Sequence, residues 1–297
     1  MLKAKPPITY ASLAPRQRQL LAEKRVSDRM GARAWLDLLA PLARFDTAAD
    51  RARLAAGRGT FGGVMVTFFG LFAIGAAHGA LWSLFVPAAG VALAIRSGLR
   101  YRRLGKLDLS NNLARVVVPF LTVLHEEGGP DRPVGLDLDL RAGDIDEKLQ
   151  ETLDLPPARG ALSIVERRFR DPWMTGTAEL AGGAKLSWTV VDDVREQKRR
   201  RRSASGKTKT KTKYKKRSLI TVGVSFPARR FAVAAAPAEA AASKDLRVES
   251  SAKGQTFELR RAVKVASLEP LDVSDLLDLV AVAFRRATPV AKGAPRT

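Results

Sequence analysis

Between residues 61 and 95 the chain is continuously apolar: only Thr67, His78 and Ser83 are polar, and no charge occurs between Arg58 and Arg96. One straight helix of that length would measure about 50 Å, against a hydrocarbon core about 30 Å thick. The run therefore predicts two membrane spans, 61–77 and 80–95, broken at His78-Gly79. Gly70, Ala73, Gly75, Ala76, Gly79 and Ala80 suit a close antiparallel pair, because lipid tails supply no hydrophobic drive for helix association. Pro87 is a candidate kink, and His78 is expected at the far-side turn in a capping or interfacial role. Some sixty residues precede the run, which argues against a cleavable signal peptide.

The rest is periodic. Residues 1–58 read as basic amphipathic helices: one over 14–30 behind a capping Ser12, a second starting with Trp35, Leu36, Leu38, Leu39 and Leu42. They would lie on the inner leaflet or pack on the folded domain. The spans occupy 59–98, and a juxtamembrane helix falls within 99–128, starting behind Ser110 with Pro119 as a bend. From residue 129 to 270 the period drops to two. LDLDLR (136–141), ALSIVERRF (161–169), KLSWTV (185–190), ITVGVSF (220–226), RRFAVA (229–234) and FELRRAVKV (257–265) read as strands with short connectors and no crossover helices. A closing helix is expected over 271–287 behind a capping Ser274, with Leu276, Leu277, Val280, Ala283 and Phe284 apolar, and 288–297 as a disordered tail. The fold class that follows is a membrane α-helical hairpin of two transmembrane helices plus a mainly antiparallel, β-sandwich-like cytoplasmic domain with flanking helices.

Charge changes this picture in one place. The net charge is +21, and residues 195–217 alone hold thirteen cations against one Glu. With Ala204-Ser205-Gly206 as a three-residue hairpin loop and Gly206 left-handed, Val190 faces Ile220, Trp188 faces Val222 and Leu186 faces Val224. The same register sets Arg201 against Lys209, Arg199 against Lys211, Arg200 against Thr210 and Glu196 against Tyr214. Like charges directly opposite destabilise a sheet, and a two-stranded ribbon without an apolar face is marginal alone. The ribbon, projecting roughly 30 Å, therefore calls for an external polyanion. Its candidate contacts are Lys198, Arg199, Arg200, Arg201, Arg202, Lys207, Lys209, Lys211, Lys213, Lys215, Lys216 and Arg217. Anionic phospholipid headgroups are the favoured partner; nucleic acid and an acidic protein or ribosomal surface are the alternatives. A single aromatic among the cations, Tyr214, argues against single-strand stacking.

Arg51, Arg53 and Arg58 before the apolar run, and Arg96, Arg100, Arg102, Arg103 and Lys106 after it, place both termini and the β-domain in the cytoplasm by the positive-inside rule. Richness in Ala, Arg and Gly points to a bacterium, hence an inner (plasma) membrane. The glycine-rich hairpin also suits a homo- or hetero-oligomer, such as an accessory subunit of a transport or secretion complex.

Chemistry is sparse. There is no cysteine, so thiolate metal sites, iron–sulfur clusters and cysteine nucleophiles are excluded, and two histidines leave no histidine-rich metal site. No cofactor or catalytic residue is expected. Gly206-Lys207-Thr208 resembles the end of a phosphate loop, but Arg201 stands where its first glycine belongs. Asp137 and Asp139 alternate with leucines as a solvent face would, and Asp192-Asp193 is expected to pair with arginines at the foot of the ribbon. Asp144, Asp146 and Glu147 lack the glycine and distal Glu of a calcium loop, and Trp173 and Trp188 read as core aromatics.

Overall fold

The structure is a computed structural model that describes residues 9–76, 84–129, 131–158, 160–203, 205–233, 246–251, 254–265 and 271–290. The chain divides into two compact units, Met1–Ala22 with Pro41–Leu109, and Glu23–Ala40 with Ser110–Thr297. The break at His78-Gly79 and the loop residue Ala204 lie outside the described residues.

The second unit is built on antiparallel strands. In chain order these are β1 (Arg25–Gly31), β2 (Pro133–Asp139), β3 (Leu149–Leu155), β4 (Ser163–Glu179), β5 (Lys185–Arg202), β6 (Thr208–Pro227), β7 (Phe231–Val233), β8 (Leu246–Ser251), β9 (Gly254–Val265) and β10 (Ala287–Pro289). Eight of them join one sheet in the order β1-β2-β4-β5-β6-β9-β8, with β3 also on β4; β7 and β10 form a separate ladder. The expected two-sheet sandwich is thus replaced by one long sheet covered by helices. At its base, alternate residues of each strand are buried on one face, among them Trp188, Val190, Val222, Val224, Phe226 and Phe257. Helices α4 (Val118–Gly128) and α5 (Val273–Phe284) pack there: Phe120 meets Trp188 edge-on at 4.9 Å, and Phe284 meets Phe226 at 5.1 Å. Trp173 and Trp188 are core residues as expected. Gly176 admits no side chain, because the Trp188 indole lies across its backbone.

Several boundaries move. The helix expected over 14–30 stops early: α1 is Pro15–Glu23, Lys24 takes a positive φ of 55°, and β1 follows. Tertiary pairing overrides the helical period here, since Val26 and Met30 fall opposite Leu138 and Val134 of β2. Ser12 does not cap α1; it closes a turn with Thr9, and the Gln17 side chain accepts from the Ala14 N–H. Asp272, not Ser274, caps α5, its carboxylate accepting the Ser274 N–H at 2.9 Å. Strand β10, Ala287–Pro289, takes the last residue of the expected closing helix and the first two of the supposed tail. Pro119 sits at the start of α4, directly after a π-helical turn at Leu113–Val117.

In the first unit no break separates the basic from the apolar segment. One helix, α2, runs Ala32–Ala76, and α3 spans Phe85–Lys106. The first turns of α2 belong to the second unit, where Trp35 Nε1 donates to the Val134 carbonyl at 2.9 Å. Farther on, α2 and α3 lie side by side and antiparallel. A Cβ on Gly57 would meet Tyr101, on Gly59 Ser97, on Gly63 the Ala94 backbone at 2.6 Å and on Gly70 Pro87. Among the described residues only α2 contains a stretch long and apolar enough to cross a membrane, by length and composition. The apolar part of α3 is short before Arg96, so the expected pair of spans reduces to one qualifying helix.

Candidate polyanion-binding face

The β5–β6 register is the one that alternation predicts. Val190 pairs with Ile220, Trp188 with Val222, Leu186 with Val224, Arg201 with Lys209 and Arg199 with Lys211. Gly206 has φ of 76°, and the Ser203 N–H donates to the Lys207 carbonyl at 2.8 Å, closing the turn. The hairpin is not two-stranded, however. β4 runs beside β5 as far as Ser163↔Arg200, and β3 flanks β4 from Leu149↔Phe169 to Leu155↔Ile164. The outer part is therefore a four-stranded sheet, β3-β4-β5-β6, of which little more than Arg201, Arg202 and the turn projects past β4. Both flanking pairs are local hairpins, turning at 156–162 and 180–184, but β3 (LQETLDL) buries little and so carries no alternation that would mark it as a strand.

Because side chains alternate across a pleat, the cations divide between two faces. Lys209, Lys211, Lys213, Lys215 and Arg217 share one face with Arg199 and Arg201. Arg195 joins them opposite Lys215; it was not among the predicted contacts, though its odd position in β5 was the signal. Cations here face cations across strands at Arg195↔Lys215, Arg199↔Lys211 and Arg201↔Lys209. Repeats of about 6.6 Å along a strand and about 4.8 Å between strands make a regular two-dimensional grid of cations. Carboxylates on this face stand on β3, on β4 and at the base: Glu151 and Glu166, the latter opposite Gln197, both pair with Arg168, at 3.0 and 2.8 Å, and Asp193 faces Arg217. Lys207 lies just outside β6, exposed beside the turn.

The opposite face pairs its charges toward the base, while Arg200 and Arg202 near the turn stay exposed. Lys198, Arg200, Arg202 and Lys216 point this way. Buried Glu196 accepts from the Tyr214 hydroxyl at 3.0 Å and pairs with Lys198 at 3.1 Å and Arg167 at 3.6 Å. Burial and the neighbouring carboxylate push the Tyr214 hydroxyl up, so it stays a donor. Lys216 is a correction: its side chain is 5% exposed and pairs with Asp192 at 3.3 Å, so it is not available to a partner. Asp192 also accepts from Ser218 Oγ at 2.6 Å; its partner is thus a lysine where arginines were expected.

Beneath lies a second buried cluster. Lys148 Nζ sits 2.7 Å from Asp171 and 3.3 Å from Asp139, and Asp139 also holds Arg25 and Arg141 at 3.1 and 3.0 Å. Asp139 is therefore interior, not on the solvent face that its alternation with leucines suggests; Asp137 is exposed as expected. Burial pushes the Asp171 carboxyl up to about 6, against the pull of Lys148. Burial would raise Asp139 too, but Arg141 and Lys148 outweigh it and hold that carboxyl well below the usual range. Asp146 pairs with Arg167 and Glu147 with Arg141, which uses the acids of the incomplete calcium-like loop in ion pairs. Among the described residues no group of three or more His, Asp or Glu is arranged to hold a metal ion. No protein-family model, curated protein or solved structure matches the chain.

Proposed function

We propose that the protein is a membrane-anchored, non-enzymatic adaptor whose cytoplasmic β-domain docks on anionic lipid headgroups through the open face of its outer sheet. The observation that carries this reading is the imbalance between the two faces. One side pairs Glu196 with Lys198 and Asp192 with Lys216; the other sets Arg195 against Lys215 and Arg201 against Lys209, with Lys211 and Lys213 along the same face and no carboxylate on β5 or β6 among them. Repulsion of that kind costs stability, and a planar array of external anions offsets it. A bilayer surface is planar. A DNA major groove, about 12 Å wide, takes a two-stranded ribbon, whereas four strands at about 4.8 Å spacing measure roughly 14 Å between outer backbones alone. The flanking strands β3 and β4 thus favour lipid over groove binding.

Three features support the anchor. Phe61, Phe68, Phe69, Leu71, Phe72 and Phe85 are exposed, Phe72 and Phe85 by 78% and 77%, an apolar belt that water does not tolerate. The antiparallel contact of α2 and α3 gathers Arg51, Arg53, Arg58, Arg96, Arg100, Arg102, Arg103 and Lys106 at one end of the pair, the cytoplasmic end by the positive-inside rule. Finally, β1 precedes the apolar stretch and β2 follows it, yet they pair along their whole length. The segment between them must cross an even number of times, which favours two spans over one. The inner membrane of a bacterium is the setting we assign.

The test uses the full chain in nanodiscs of neutral lipid, mixed with phosphatidylglycerol vesicles, phosphatidylcholine vesicles or duplex DNA. Capture of the anionic vesicles alone, lost at high salt, is the expected result. Replacing Lys207, Lys209, Lys211, Lys213 and Lys215 by Gln should weaken it on the order of 10³-fold, at about 1 kcal/mol per cation. Equal capture of neutral vesicles, or capture indifferent to the substitutions, would refute the reading; preference for DNA would favour a nucleic-acid tether.

A further inference from the structure

Helix α5 carries two apolar stripes. Leu276, Leu279 and Ala283 are buried in the core, while Leu277, Val280, Ala281 and Phe284, at the i, i+3, i+4, i+7 spacing of a second face, are only half-buried. That second stripe lines a cavity of about 680 Å³. Phe120 and Val123 of α4, Leu186 of β5 and Phe231 of β7 also line it. The turn at Gly182, with φ of 76°, closes on the Phe231 ring, where even a Cβ would stand 3.0 Å from the ring. The size lies within the range of small-molecule pockets, and the lining is that of an apolar ligand.

Two charged residues, Glu127 and Arg230, complete the lining. Among the described residues neither makes an ion pair, with the other or with any other group. Arg230 is held in place by its backbone, which donates to the Pro227 carbonyl at 3.0 Å and accepts from the Val290 N–H at 2.9 Å. Glu127 stands in the last turn of α4, the negative end of the helix dipole, where an acid is unfavourable and a ligand cation would be welcome. An apolar cavity lined by one unpaired guanidinium on an anchored backbone and one misplaced carboxylate is complementary to a head bearing both charges.

We propose that this cavity binds a single-chain zwitterionic amphiphile of the lysophosphatidylethanolamine class, its chain along the second stripe of α5, its phosphate on Arg230 and its ammonium on Glu127. The site stands on the geometry of the second unit and does not depend on the cationic face. The experiment is photolabelling of the full chain in nanodiscs with lysophosphatidylethanolamine carrying a diazirine in its acyl chain, followed by peptide mapping. Adducts should fall on α4 and α5. Unlabelled lysophosphatidylethanolamine should compete about tenfold better than lysophosphatidate, and lysophosphatidate better than hexadecanol. Glu127→Gln should erase the first preference and Arg230→Gln the second; both residues are exposed, so the fold should survive. Ala281→Trp, which fills the cavity, should abolish the α5 adducts. Adducts confined to α2 and α3, or equal competition by hexadecanol, would overturn the proposal. So would α5 adducts that no lipid displaces, which would point instead to a protein side chain as the occupant.

Discussion

Asp171 and Asp139 share one lysine, yet their environments drive them in opposite directions. For Asp171 the folded value is raised from 3.8 to about 6, so the fold prefers the neutral acid. Below pH 3.8 the group is protonated folded or unfolded; above about 6 it is charged in both, and the folded state bears the full cost of burying it. Its contribution therefore makes stability fall as pH rises between those limits. Asp139, depressed, acts the other way and only in more acid solution, its contribution being lost as pH drops through the folded range. Asp171→Asn should flatten the urea-unfolding free energy between pH 4 and 6, and an unchanged slope would show that another group titrates there. Little of this cluster was legible in the sequence. Asp139 alternates with leucines as an exposed residue would, and its partners Arg25 and Lys148 come from elements that only the sheet brings together.

At the scale of elements, legibility followed sequence separation. The β5–β6 register could be read because one glycine and two alternating arms fix it locally, and α5 because its period is strong. β1 could not: its seven residues continue a basic, helix-like stretch, and only their pairing with β2 makes them a strand. The four-stranded outer sheet was hidden although β3–β4 and β4–β5 are local hairpins, because β3 buries too little to show an alternating pattern. The continuity of α2 was hidden by the change from basic to apolar composition at Arg58, although Thr60 and its neighbours contain no breaker strong enough to end the helix. The close contact of α2 and α3 was foreshadowed by glycines, and it can be tested directly. A Cβ on Gly59 would stand 3.4 Å from that of Ser97, near the separation a disulfide needs. The chain has no native cysteine, so Gly59→Cys with Ser97→Cys should give one rapid intrachain crosslink on mild oxidation. Adding Gly90→Leu, whose side chain would strike the Thr67 backbone, should suppress it. A pair that stays reduced would dismiss the side-by-side arrangement.

For the whole molecule, the question is which parts share an aqueous compartment. With two spans, Arg16→Cys and Lys211→Cys should react with a membrane-impermeant maleimide in inverted membrane vesicles and be protected in right-side-out ones, while His78→Cys should show the reverse pattern. Protection of all three in right-side-out vesicles would mean that the apolar pair enters and leaves the same leaflet.

The ladder between β1 and β2 also dictates an order of events during synthesis. Arg25–Gly31 leaves the ribosome roughly a hundred residues before its partner Pro133–Asp139, and the whole greasy segment is made in between. The sheet's first edge must wait, unpaired, until the later strand arrives. In the membrane setting proposed above, a nascent chain stalled before residue 133 should thus carry α2 and α3 resistant to carbonate extraction beside an N-terminal arm still open to protease, insertion coming before the sheet closes.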